Sequence, residues 1–310
     1  MVEIARHTHQ SIGEITDAWN RALVWDPIDH HTFMRKVFLD PNFRPDGLWL
    51  ALDGDRVVGL CLALVQRVAL EHDATLDPGG YITAFGLAPE YRRTGTGTRL
   101  LDAAEEWLAG EGRVRVRIAP YVPHYFVPGV DEERYPGAGE FLTHRGYSRV
   151  GEGLGMDCPL NIVNPLEGLG EVLDKLSRDG ISVEPLGEGW IPRFFAFLRD
   201  EAPADWSRHA RQILHDGAPP ADIIVAIHGE RVVGYCQSEG SHFGPFGVAA
   251  DYRGRGVGTA LLATCLYRMK QRGEHCAWVV WTSERAAPVY ERLGFERTRR
   301  FTLLSKELPR

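Results

Sequence analysis

Phe246-Gly247-Val248-Ala249-Ala250-Asp251-Tyr252-Arg253-Gly254-Arg255-Gly256-Val257-Gly258-Thr259 runs directly into the helical pattern Ala260-Leu261-Leu262-Ala263-Thr264-Cys265-Leu266. The stretch reads as a strand, a basic glycine-rich loop and a helix. Glycines at 254, 256 and 258 let the backbone approach a ligand and take positive φ without a Cβ clash. The first N–H groups of the helix lack intrahelical partners and sit at the positive end of its dipole, so they favour a phosphate or pyrophosphate. Arg253 and Arg255 add positive charge at the same place, and the whole is an anion cradle.

Two common phosphate loops do not fit. A P-loop requires a lysine after its last glycine, and none follows Gly258. A dinucleotide fingerprint requires a third glycine at position 261, which is leucine, and a βαβ setting that is missing here. The pattern instead occurs twice. Phe85-Gly86-Leu87-Ala88-Pro89-Glu90-Tyr91-Arg92-Arg93-Thr94-Gly95-Thr96-Gly97-Thr98 repeats it and leads into Leu100-Leu101-Asp102-Ala103-Ala104. Arg56-Val57-Val58-Gly59 answers Arg231-Val232-Val233-Gly234, and His144-Arg145-Gly146-Tyr147 answers Arg292-Leu293-Gly294-Phe295. The offset falls from 175 between Arg56 and Arg231, to 161 between Gly95 and Gly256, to 148 between Gly146 and Gly294. A duplicated fold with two insertions in its first copy explains this.

Arg253-x-x-Gly256-x-Gly258 and Arg92-x-x-Gly95-x-Gly97 resemble the acyl-CoA pyrophosphate loop of the GNAT N-acetyltransferase superfamily. The resemblance covers nearly the whole chain and implies an α/β (α+β) protein of two tandem GNAT-like domains, each a mixed, mostly antiparallel sheet flanked by helices. The expected division is an N-terminal domain over 1–158, a linker with a short helix over 159–180 and a C-terminal domain over 181–310. The two-copy plan is similar to that of the mycothiol synthases, although no motif beyond the shared ones ties the chain to them. The implied cofactor is acetyl-CoA. It would be held by Phe246, Gly247, Val248, Arg253, Gly254, Arg255, Gly256, Val257, Gly258 and Thr259, with Arg92, Arg93, Gly95, Gly97 and Thr98 in the first copy.

Acyl transfer to an amine needs a held thioester, a deprotonated amine, a donor for the developing oxyanion and a proton for the departing thiolate. The resemblance implies that the strand before the loop carries a bulge freeing a backbone N–H, matched here by Val248. It also implies a tyrosine four residues before the Gly-Phe pair as proton donor, which is Tyr290. A phenol stays protonated at neutral pH. In the first copy that register falls on Leu142, which has no proton to give, so catalysis is expected in the second half alone. Pro288 departs from the family's helix pattern but lies near the helix start, where proline is tolerated. For the general base, Glu239 and His242 stand near the second-copy strand, with Glu284 as a further possibility; imidazole is the side chain that titrates near neutrality. The competing reading is a CoA-binding sensor or regulatory module without turnover.

With 310 residues the chain has room for two ordinary domains, and its net charge of −7 argues against a general nucleic-acid binder. No apolar run reaches the roughly 18 residues of a membrane span, and the start lacks a signal-peptide core, so the chain reads as cytoplasmic. The five cysteines, at 61, 158, 236, 265 and 276, are unclustered. Together with histidines that show no ligand spacing they predict no metal site. The expected acceptor is a small-molecule amine, not a nucleic acid or a membrane.

Along the chain, a strand over Val2–Ala5 precedes helices over Ser11–Leu23 and Thr32–Leu39, with Trp19, Leu23, Phe33, Val37 and Phe38 facing a core. A hairpin turns at Asp53-Gly54-Asp55. Last strand pairs are expected over 147–159 and 295–308. Between the copies' shared markers, residues 120–136 are rich in proline and aromatics. They read either as a packed Ω-type loop or as a substrate-facing wall in which Tyr121, His124 and Tyr125 offer hydrogen bonds and Asp131, Glu132 or Glu133 attracts an amine.

Overall fold

The computed structural model describes residues 2–70 and 75–309. In chain order, the first half carries β1 (Glu3–Arg6), α1 (Ile12–Ala22), α2 (His30–Phe33), β2 (Leu48–Asp53), β3 (Arg56–Val65), β4 (Gly80–Leu87), α3 (Thr96–Gly110), β5 (Arg115–Ile118), α4 (Ala138–His144) and β6 (Ser148–Cys158). The second carries α5 (Leu169–Arg178), β7 (Ile181–Pro185), α6 (Ile191–Glu201), α7 (Ala204–His215), β8 (Ile224–His228), β9 (Arg231–Glu239), β10 (His242–Val248), α8 (Val257–Gln271), β11 (Ala277–Thr282), α9 (Ala287–Glu291) and β12 (Glu296–Glu307). The duplicated order strand–helix–helix–hairpin–strand–loop–helix is therefore real.

Local chemistry accounts for the elements. Ser11 accepts from the Glu14 amide while the Glu14 side chain accepts from the Ser11 amide, a capping box that starts α1. The helix expected over 32–39 is instead the four-residue α2 followed by a π-helical turn, Met34–Phe38. β3 is apolar along its length because it is covered on both faces. Cys61, Ala63 and Val65 pack with Leu100, Ala104 and Leu108 of α3, whereas Leu60, Leu62 and Leu64 pack with Ile15, Trp19, Phe33 and Val37.

The chain divides into two compact units whose boundaries differ from those expected. The first comprises residues 2–69, 75–153 and 300–309, and the second is built on Leu154–Arg299. Each expected terminal strand pair is a single long strand, because neither 148–158 nor 296–307 holds a turn that could fold it back. In the first unit β1, β2, β3 and β4 pair antiparallel, β4 and β5 pair parallel, and residues 304–307 of β12 lie antiparallel to β5. In the second unit residues 154–158 of β6 lie antiparallel to β11. There β10 and β11 are parallel, and β7 to β10 form an antiparallel run. The copies have thus exchanged strands. The expected linker is corrected too: Leu169 and Leu176 of α5 are buried in the core of the second unit, so that helix belongs to it.

Candidate functional site

Both basic loops fold as cradles. Gly256 caps α8 at φ +97° and Gly95 caps α3 at φ +80°, conformations that disfavour any side chain. The first intrahelical bonds run from Ala260 to Gly256 and from Arg99 to Gly95. The amides of Val257, Gly258 and Thr259, and of Thr96, Gly97 and Thr98, are therefore left pointing out of the first turns. Gly254 takes φ +76°, and at the matching place Arg93 takes φ +59°, so the first copy holds the same backbone at the cost of strain. A Cβ on Gly258 would stand 3.1 Å from the Phe246 ring, so a side chain there would push that ring aside by a few tenths of an ångström. The guanidinium groups divide the work. Arg253 Nε donates to the Val248 carbonyl at 3.1 Å and Arg92 Nε donates to the Leu87 carbonyl at 3.0 Å, tying each loop to its strand. Arg255 instead lies exposed with its guanidinium 5.1 Å from the Tyr252 ring centre.

Beside each cradle the sheet opens. The pairing of β10 with β11 consists of His242 opposite Trp278, and that of β4 with β5 ends at Ile82 opposite Ile118. Beyond those points the strands diverge. Ala249 donates to Val233 and Ala88 to Val58, on the antiparallel side. By alternation, the amides of Val248 and Leu87 point the other way, into the gap. The expected bulge is corrected in position. Val248 pairs regularly with Gly234, and the register shift lies between Phe243 and Phe246, where β10 carries one extra residue. The Val248 amide is freed by strand divergence, not by the bulge.

Tyr290 is a buried core residue of the second unit, packed against β10. Its ring lies 5.8 Å from Phe243, 6.2 Å from Phe246 and 5.4 Å from Phe295. It is only 6% exposed. Burial pushes the phenol up to about 12, while a hydrogen bond with Thr282 pulls the other way. Thr282 was not foreseen in this role; its place at the end of the strand before Tyr290's helix was the available signal. Leu142, at the matching register in the first copy, is a buried core residue.

The other expected residues are scattered. Glu239 and His242 face each other across the β9–β10 turn, and the His242 ring lies 4.4 Å from that of Trp278. Val248 is six positions on from His242, at most about 20 Å along an extended strand. Glu284 is 2.7 Å from Arg297. In the first unit two of the aromatic-loop residues, Tyr121 and Asp131, are buried, while His124 and Tyr125 are half-buried. Tyr121 is 1% exposed, donates to Asp40 at 2.8 Å and accepts from Asn42 at 2.8 Å. His124 Nδ1 is 2.9 Å from the same Asp40 carboxylate. Lys36 donates to the Tyr125 carbonyl at 2.8 Å. Asp131, 3% exposed, accepts from the Arg134 amide at 3.0 Å. A carboxylate already buried in its own turn is not presented to an amine. Among the described residues no cluster of metal-ligating side chains occurs, and no helix is long and apolar enough to cross a membrane.

Both halves of the chain are similar to known acetyltransferase sequences. Residues 12–123 match the acetyltransferase (GNAT) family model and residues 219–297 match an acetyltransferase (GNAT) domain model. Mycothiol acetyltransferase of Propionibacterium freudenreichii subsp. shermanii is 27% identical over 266 residues, covering 80% of this chain and 73% of that one. Two solved structures share the fold. The GCN5-related glucosamine N-acetyltransferase region of a fungal multi-domain GH3 β-N-acetylglucosaminidase has a TM-score of 0.80 at 19% identity, over 98% of this chain and 38% of that one. A tandem GNAT protein from the clavulanic acid biosynthesis pathway has a TM-score of 0.67 at 18% identity, over 100% of this chain and 99% of that one.

Proposed function

Because the chain belongs to the GNAT acetyltransferase superfamily, with one such domain in each half, we propose that it transfers an acetyl group from acetyl-CoA to a small-molecule amine in its second half. The observation that carries this reading is the unequal pair Tyr290 and Leu142, set beside two cradles of the same backbone form. The open amides of Val257, Gly258 and Thr259, with Arg255, hold the pyrophosphate. The Val248 amide offers a hydrogen bond to the oxygen that gains charge as the amine attacks. Tyr290 keeps its proton through the neutral range and presents it to the sulfur as the thiolate departs. Leucine at 142 offers no such proton, so the first half serves as a scaffold that keeps a CoA-type loop.

Titration calorimetry with acetyl-CoA tests this, using the full chain and variants with Gly95 or Gly256 replaced by a bulky residue. One equivalent bound, lost only when Gly256 is replaced, supports a second-half site. Binding lost only when Gly95 is replaced assigns the cofactor to the first half and overturns the reading.

A further inference from the structure

Comparison of the two copies residue by residue exposes a difference in the sheet face beneath the first two helices of each unit. In the first unit that face of β3 is made by Leu60 and Leu62, both fully buried against α1 and its neighbours. At the offset of 175 residues the second unit has Tyr235 and Gln237. Cys236 between them matches Cys61, so the alignment has no slack. Tyr235 packs under α6 and α7, its ring 5.4 Å from Phe194, 6.0 Å from Phe197 and 5.9 Å from Trp206. Gln237, two residues on, projects from the same face. The alternate residue Ser238 accepts from Arg272 at the end of α8, on the opposite face.

Tyr235 is 0% exposed and Gln237 is 1% exposed. Neither the Tyr235 hydroxyl nor Gln237 Oε1 has a hydrogen-bond partner among the described residues. Burying a polar atom without a partner costs free energy, and the first copy shows that leucine fills these positions. Packing alone therefore does not account for a phenol and an amide here. Tyr235 lies one strand away from the gap, as the pairing partner of Gly247, next to Val248, and Gln237 stands opposite the register shift between Phe243 and Phe246. Trp206 lies over Tyr235: its ring comes within 2.8 Å of where a Cβ on Gly247, the pairing partner of Tyr235, would stand. One residue before Trp206, the half-buried Asp205 carboxyl is pushed up by burial and faces the same tyrosine.

We propose that Tyr235 and Gln237 are the acceptor-recognition residues of the second half, and that the acceptor they take is a small amine carrying hydroxyl groups. This rests on the reading that the second half carries the transfer. Gln237 Oε1 can only accept, and the Tyr235 hydroxyl can donate or accept. A ligand hydroxyl does both, so it satisfies these atoms without bringing a second charge against the rings of Phe194, Phe197 and Trp206. The reacting nitrogen is then left free to point into the gap beside Val248. Trp206 must turn aside for entry, which makes it the cover of the subsite.

The test uses the full chain, with Gln237→Leu, the residue of the first copy, and Tyr235→Phe. Without additive, Gln237→Leu melts at or above the wild-type temperature, because an unpaired buried atom has been removed; a fall of more than about 3 °C overturns the proposal by showing that the amide has a structural partner. With millimolar glucosamine as probe, the wild type is stabilised and both variants lose most of that shift. No shift in the wild type, or one that survives in both variants, also overturns it. Acetyl-CoA affinity stays within about twofold in both variants. Failure of the second-half reading would show separately, in the titration of the Gly95 and Gly256 variants.

Discussion

Arg253 Nε donates to the carbonyl oxygen of Val248, five residues earlier and 3.1 Å away. The same bond joins Arg92 to Leu87 in the other copy. The first arginine of the motif is thus a brace: it fixes where the strand ends relative to the cradle, and so where the Val248 amide lies relative to a bound pyrophosphate. Arg253→Ala is expected to weaken acetyl-CoA binding by about tenfold, the worth of one charge-assisted hydrogen bond. Titration at two salt concentrations separates brace from ligand contact. The loss in Arg253→Ala stays nearly constant with salt, whereas that in Arg255→Ala shrinks as salt rises.

Tyr290→Phe keeps the ring packing and removes only the hydroxyl. The expected result is a fall in kcat of about a hundredfold with acetyl-CoA affinity unchanged. Because burial raises this group to about 12, the active, protonated form persists through the neutral and mildly alkaline range and is lost only near that value. The wild-type rate therefore shows no alkaline fall from Tyr290 below about pH 11. A variant as fast as the wild type would remove Tyr290 from the chemistry.

The strand exchange predicts where stability resides. Lys306, on β12, reaches Glu105 of α3 at 2.6 Å, and Glu105 also accepts from the Tyr147 hydroxyl at 2.8 Å. The ion pair is mostly buried, with side-chain exposures of 18% and 10%. Lys306→Met leaves the carboxylate without its counter-charge and should destabilise the first unit by about 3 kcal/mol in urea unfolding. A loss below about 0.5 kcal/mol would mark the pair as an ordinary surface bridge.

Acid should loosen the first unit through Asp40. Burial alone would raise this carboxyl, but hydrogen bonds from His124, the Asn42 amide and Tyr121, with the His124 charge, hold it below the usual carboxylate range. Its stabilising share is complete above the unfolded-state value and is lost as the pH falls below about 4. Asp40→Asn should cost about 2 kcal/mol at pH 7 and flatten the acid limb of the stability profile. An acid limb identical to the wild type would contradict this role.

Much of this was legible in the sequence. The glycines at 95 and 256 are held at positive φ by the backbone, and the same Arg and Gly spacing occurs twice, so the loops could be read from residue type alone. The partners of β6 and β12 could not. A strand's alternation fixes which face is buried but not which neighbour it pairs with, and the missing turns in 148–158 and 296–307 were the one local clue. Tyr235 and Gln237 escaped because each looks ordinary within an apolar strand. They stand out only against Leu60 and Leu62, once the two copies are aligned and burial is known. The aromatic loop shows the opposite failure: Tyr121 and Asp131 look like ligand-binding residues by type, but Asp40, some eighty residues earlier, engages Tyr121, and Asp131 is buried in its own turn.

Since residues 300–307 are part of the first unit, that unit cannot be completed when its own half leaves the ribosome. The edge of β5 stays bare while about 150 further residues are made, on the order of ten seconds or more at ordinary elongation rates. The second unit, by contrast, already has its borrowed strand, residues 154–158, before its other strands are synthesised. The N-terminal half is therefore the last to finish folding, and a released chain truncated after residue 299 should remain protease-sensitive in the first unit while the second is resistant.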